Sequence, residues 1–160
     1  MSQTPQSLKL PALNPDAVLP RTSSLYPEPF KSVVAGRSKQ ALGNAVGLKN
    51  FGVNRVTLAP GAASALRHWH TKQDEFIYVL AGEITLITDA GEQVLSAGMA
   101  VGFPAGNPDG HHLVNKSSAD AMYLEVGDRL PGDEAAYPDH DLAVHQAAQW
   151  QFTKKNGSPY

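Results

Sequence analysis

Arg67-His68-Trp69-His70, followed by Glu75 and then Gly82, is the stretch on which the reading of this chain turns. Side chains in a strand alternate between faces, so His68 and His70 point the same way, about 7 Å apart between Cα atoms at ~3.3 Å of rise per residue. Two imidazoles so placed can converge on one ion. Glu75 then opens Glu75-Phe76-Ile77-Tyr78-Val79-Leu80, a run rich in aromatic and β-branched residues that reads as the next strand. Its inward face would carry Glu75, Ile77 and Val79. A carboxylate on an otherwise apolar strand face is costly to bury unless a cation or a hydrogen-bond network receives it. A further ligand is on offer at His111 or His112, at the start of His-Leu-Val-Asn. Three neutral imidazoles and one carboxylate suit one divalent transition metal: Zn, Fe, Mn, Ni, Co or Cu. Calcium and magnesium prefer shells made of oxygen.

Moving outward, Gly61 precedes His68-Trp69-His70 by six intervening residues, and Glu75 and Gly82 follow after four and six. Downstream, Gly98 leads after five residues to Pro104-Ala105-Gly106, then after four to His111, and after three more to Asn115. This double pattern resembles the two motifs of the cupin superfamily, with one extra residue before His68 and two extra before His111. The resemblance spans residues 61–115, about a third of the chain. It implies a double-stranded β-helix, a jelly-roll barrel holding a metal inside one mouth, with His68, His70, Glu75 and His111 as ligands. The three-residue interval to Asn115 favours His111, and strand alternation then turns His112 outward. Leu25-Tyr26-Pro27-Glu28-Pro29-Phe30, Phe51-Gly52-Val53-Asn54 and Gly157-Ser158-Pro159-Tyr160 are similar to a group of short bacterial cupins labelled sugar phosphate isomerases.

Composition agrees with an all-β domain. Fourteen glycines and twelve prolines punctuate short runs of alternating polarity, the pattern of a sandwich or barrel. Strands are expected over 52–59, 64–70, 75–81, 83–88, 93–95, 100–103, 111–115 and 121–128. Asp89-Ala90-Gly91 reads as a tight hairpin, and Gly82 serves a similar backbone purpose. The expected organisation is an N-terminal arm over 1–30, a barrel over 31–130 and a C-terminal extension over 131–160. That extension would pack on the barrel or on a partner, adding one or two edge strands. Exposed edges and sheet faces point to a homodimer. A net charge of −2 with no block of like charges argues against nucleic-acid binding. Met1–Ser7 lacks a secretory pattern and no apolar run approaches the ~20 residues of a membrane span, so a cytoplasmic protein is expected. With no cysteine, disulfides and thiolate ligands are out of consideration.

Among other residues, Arg55 is a candidate cavity cation, and Tyr123 and Glu125 are candidate pocket residues. Trp69, Phe76 and Tyr78 should face outward, Arg67 should be a solvated or interface cation, and Met99 and Phe103 should fill the core. His140, between two aspartates, reads as a solvated loop residue. A ligand set of this kind leaves one or two positions for water or substrate. It permits isomerase-type chemistry on a small polar molecule, dioxygenase-type chemistry, or non-catalytic binding of a small molecule. No catalytic acid or base can be picked from the sequence. Metal affinity is expected to fall below about pH 6.5, the ordinary histidine value, because a protonated imidazole cannot ligate.

Overall fold

Alternating apolar and polar residues between glycine and proline turns produce an antiparallel β structure in the computed structural model, which describes residues 11–146 and 149–160. The first ten residues of the expected N-terminal arm lie outside that range. Two short 3-10 helices, Pro15–Ala17 and Phe30–Val34, precede β1 (Arg37–Gln40), a single helical turn α1 (Leu42–Ala45) and β2 (Phe51–Leu58). There follow β3 (Trp69–His70), β4 (Glu75–Ala81), β5 (Glu83–Thr88), β6 (Gly91–Ser96), β7 (Ala100–Phe103), β8 (His112–Val114) and β9 (Ala121–Asp128). The C-terminal strands are β10 (Glu134–Ala136), β11 (Ala143–Gln146) and β12 (Trp150–Thr153).

Three sheets result, ordered β1-β2-β9-β4-β7, β12-β11-β10-β3 and β6-β5-β8. The first and third face each other as the two walls of a jelly-roll barrel. Register decides what lies between them. On β2 and β9, Asn54 sits opposite Glu125, Val56 opposite Tyr123 and Leu58 opposite Ala121; on β4, Ile77 sits opposite Glu125 and Val79 opposite Tyr123. Val56, Leu58, Val79 and Tyr123 are fully buried, joined by Ile84, Leu86, Leu95 and Leu113 from the opposite wall. Each such aliphatic or aromatic side chain contributes about 1.5–3 kcal/mol by leaving water. The apolar filling stops short of one end, where Asn54, Glu75 and Glu125 take over the inward positions.

The chain passes from one wall to the other at Gly82, whose φ is 73°. A Cβ there would come within 2.8 Å of the Asp120 carbonyl oxygen, so both the turn and the close approach demand glycine. Asn115 is fully buried and ties the β8–β9 loop, its Nδ2 donating to the carbonyls of Leu58 and Ala119, each at 2.8 Å.

The two flanks build a second core. Tyr26, Val34, Leu66, Tyr137, Leu142 and Val144 are buried together, with Phe30 and Phe152 against them. Arg21 bridges to Lys39, which lays the N-terminal segment along the edge strand β1. The C-terminal strands join β3, which carries His70, so both flanks reach the polar end of the barrel. Among the described residues, no helix is long and apolar enough to cross a membrane.

Several expectations are corrected. The strand expected over 64–70 is regular only at β3; before it the chain touches β8 through the isolated bridges Ala63–Val114 and His68–His111. β1 and β10 were not anticipated, because Arg-Ser-Lys-Gln has no apolar alternation and Glu-Ala-Ala has low strand preference. Met99 is 38% exposed at the β6–β7 turn, where it cannot reach the core.

Candidate metal centre

The polar end of the barrel gathers three imidazoles around one carboxylate. Glu75 opens β4 and sends Oε2 to within 2.9 Å of His111 Nε2 and 3.8 Å of both His68 Nε2 and His70 Nε2. His68, His70 and Glu75 offer ligand atoms that all lie within 4.8 Å of one another, a cluster able to hold a metal ion. An ion with bonds of about 2.0–2.2 Å places its ligands roughly 3–4 Å apart, and the distances from Glu75 to the three imidazoles lie near that range.

The ring nitrogens facing away from the cluster explain the orientation. His68 Nδ1–H donates to the Leu66 carbonyl at 2.8 Å, and His70 Nδ1–H to the Asp133 carboxylate at 2.6 Å. With Nδ1 committed as a donor, each Nε2 presents a lone pair to the centre. His111 is held flat against Phe103, ring centroids 3.5 Å apart, and by a two-way backbone bridge with His68. Burial lowers the His68 pKa to about 4 against the opposing pull of Glu75, so this imidazole is neutral at neutral pH. Burial alone would raise the Glu75 carboxyl; the His111 hydrogen bond and the neighbouring His68 and His70 outweigh it and hold the group down to about 2. Neutral imidazole beside ionised carboxylate is the protonation state that receives a cation.

Asp133 is the residue that sequence reading missed. It is fully buried and also accepts from the Lys72 N–H at 2.8 Å and the Thr71 hydroxyl at 3.3 Å. It lies 63 residues from His70 in a Pro-Gly-Asp turn, and no local pattern marks it.

His112 points the other way from His111, its Nδ1 on the Ala65 carbonyl at 3.0 Å. Tyr123 and Glu125 line a cavity of about 120 Å³ together with His68, Glu75 and His111. Arg55 does not. Val56 and Leu58 fix the inward parity of β2, so Arg55 projects outward, bound to Gln40 at 2.7 Å and Asp16 at 2.6 Å. The cavity cations are Arg37 and Lys39 of β1. Arg67 is a clamp between loops, bidentate to Asp139 at 2.8 Å and paired with Asp89. Trp69 borders a second cavity of about 150 Å³ with His70, Glu75, Phe103 and His111, and does not lie on an outer face alone. His140 stacks edge-on against Phe30.

The barrel and its site define the class of protein. The Cupin domain family profile matches residues 54–127. A solved sugar phosphate isomerase from a cupin superfamily of Silicibacter pomeroyi is 45% identical, covering 94% of this chain and 96% of its own, with a TM-score of 0.91. This chain belongs to the cupin superfamily. A candidate sugar phosphate isomerase of Acidithiobacillus ferrooxidans is 28% identical over 78% of this chain and 80% of its own, TM-score 0.71. The polyketide cyclase RemF of Streptomyces resistomycificus, 20% identical over 75% and 80%, TM-score 0.62, shares the fold. No curated protein matches the chain.

Proposed function

We propose that this chain is a metal-dependent enzyme that binds a small polar hydroxy-carbonyl molecule and moves a proton on it, as an isomerase does. The observation that carries the reading is the meeting of His68, His70 and His111 Nε2 with Glu75, beside a cavity that Arg37, Lys39, Tyr123 and Glu125 line together with the apolar Ile77, Phe103 and Leu113. His68, His70, Glu75 and His111 would hold one divalent transition metal: Zn, Fe, Mn, Ni, Co or Cu. When bound, such an ion supplies a Lewis acid that polarises a substrate oxygen.

The chain's own groups do the rest. Asp133 and the Leu66 carbonyl keep two imidazoles in the ligating tautomer. Glu125 lies diagonal to Glu75 on the inner face, opposite Ile77 where Glu75 is opposite Gly127, a separation of about 7 Å for such neighbours. Its Oε1 accepts from Lys39 at 2.7 Å and Asn54 at 2.9 Å, which leaves Oε2 to exchange a proton with a substrate in the cavity. Glu125 is the proton-transfer group of this reading. The solved relative from S. pomeroyi bears an isomerase name, which supports the reaction type.

A second reading, dioxygenase-type chemistry, is favoured by Leu86, Val101, Phe103 and Trp69 in the other cavity that reaches Glu75. A panel of aldoses, ketoses and their phosphates followed by product analysis, beside oxygen consumption on aromatic and dicarbonyl compounds, separates the two. Isomerisation abolished by Glu125→Gln supports the first; oxygen uptake untouched by that variant refutes it. If neither panel reacts but ligands raise the melting temperature, the barrel is a binding protein.

A homodimer is part of the proposal. The outer face of the five-stranded sheet exposes Phe51, Phe76, Tyr78 and Leu80, each 39–45% accessible. A second copy packing sheet on sheet would cover them.

A further inference from the structure

We propose that Arg37 and the hydroxyl of Tyr123 form a subsite beside the metal ligands that takes an anionic oxygen group of the substrate, a carboxylate or a phosphate. The inference rests on the metal-centred reading and deepens it. Register places both groups. Arg37 lies opposite Leu58 and Lys39 opposite Val56, whose side chains point into the barrel, so these two cations share the inward face at the sheet edge. Tyr123 lies on the other side of β2, opposite the same Val56. Arg37 and Tyr123 line the cavity that also reaches His68, Glu75 and His111.

Two observations point to a ligand. Tyr123 is fully buried, yet its hydroxyl has no hydrogen-bond partner among the described residues. Ser64 is a neighbour, but its Oγ accepts from the Leu113 N–H and does not meet hydrogen-bonding geometry with Tyr123. A buried hydroxyl without a partner is costly and calls for one.

The second observation is a charge count. Lys39 is neutralised by Glu125 at 2.7 Å. Arg37, half-buried, commits a guanidinium N–H to the Ser64 carbonyl at 2.5 Å and pairs with no carboxylate among the described residues. A guanidinium has five donors in a planar fork suited to carboxylate and phosphate oxygens, so most of its capacity remains for an anion. Arg21 adds a second cation at the outer mouth shared with Lys39 and His70. Both Arg37 and Arg21 lie outside the residues that the Cupin domain profile matches, so the subsite is built by this chain's own N-terminal flank.

The test is calorimetric titration of glycerate and, separately, glycerol 3-phosphate into wild type, Arg37→Gln and Tyr123→Phe, with metal content measured on the same samples. The expected result is that one probe binds wild type and thereby identifies the anion. Arg37→Gln should weaken it roughly tenfold to hundredfold, the range for a charged hydrogen bond, with metal content unchanged. Tyr123→Phe should weaken it several-fold while the melting temperature stays level or rises, since no protein hydrogen bond is lost. That variant decides the matter if Arg37→Gln does not fold. Wild-type affinity in the folded variants, or failure of both probes to bind wild type, overturns the proposal. A wild type that binds the probe through Arg37 but carries no metal and cannot be loaded with one would sink the metal reading and leave the subsite standing.

Discussion

Replacing Asp133 by asparagine tests whether the centre depends on groups beyond those facing the ion. The carboxylate is fully buried and receives the His70 ring N–H at 2.6 Å, the Lys72 N–H at 2.8 Å and the Thr71 hydroxyl at 3.3 Å. An asparagine of nearly the same shape keeps one acceptor oxygen but presents an N–H₂ that cannot accept, and it removes the charge that favours the Nδ1–H tautomer. His70 then loses its charge-assisted hydrogen bond, and its Nε2 is no longer held toward Glu75. Loss of such a supporting partner costs about 10–100-fold in metal affinity, or roughly 1.4–2.8 kcal/mol. Competition with a chromophoric chelator gives the dissociation constant, and thermal unfolding of the metal-free protein measures the separate cost to the fold. The reasoning fails if Asp133→Asn binds metal within twofold of wild type while His70→Ala does not.

Acidification should destabilise the metal-free protein in two stages. His68 is depressed from 6.5 to about 4, so the unfolded chain takes up a proton there first; stability present above pH 6.5 is lost towards pH 4, on the order of 3 kcal/mol. Glu75, held near 2 against an ordinary 4.5, contributes stability above pH 4.5 that is lost below it. Denaturant titrations at pH 7, 5.5 and 4 check the first stage and a further one at pH 3 the second, and a flat profile refutes them. Proton competition at His68 itself is displaced from the ordinary value to about pH 4. Gly82→Ala should cost about 2–4 kcal/mol, because a positive φ and a contact with the Asp120 carbonyl act together; a change below 0.5 kcal/mol in urea unfolding would count against it. Tyr78→Glu should convert a dimer to a monomer in light scattering at micromolar concentration without changing metal content. A monomeric wild type would remove that proposal.

What could be read from the sequence divides along a physical line. β4, β5, β7 and β9 run over the residues that their alternation marks, because one face of each is buried against the opposite wall. His68 and His70 fall on one side because a two-residue spacing within an extended segment is a local property, whereas Glu75 reaches them from β4 and His111 through its bridge to His68. β1 escaped because its inward residues, Arg37 and Lys39, face the cavity beside the metal ligands and break the apolar pattern that reveals a strand. The same exception that hid the strand marks the cavity wall. Arg55 was misplaced by one position of parity, which only the burial of Val56 and Leu58 fixes. Asp133 could not be found, since its partner lies 63 residues away and the β10 strand that delivers it has little strand signal.

Elemental analysis of untagged protein purified without added metal, wild type beside His68→Ala, tests the central claim most directly. The account predicts about one transition-metal ion per chain in the wild type and its loss in a variant that still folds, with iron or copper directing substrate screening to oxygen chemistry and zinc or manganese to isomerisation. Wild-type protein that carries no metal and cannot be loaded with Zn, Fe, Mn, Ni, Co or Cu would contradict it.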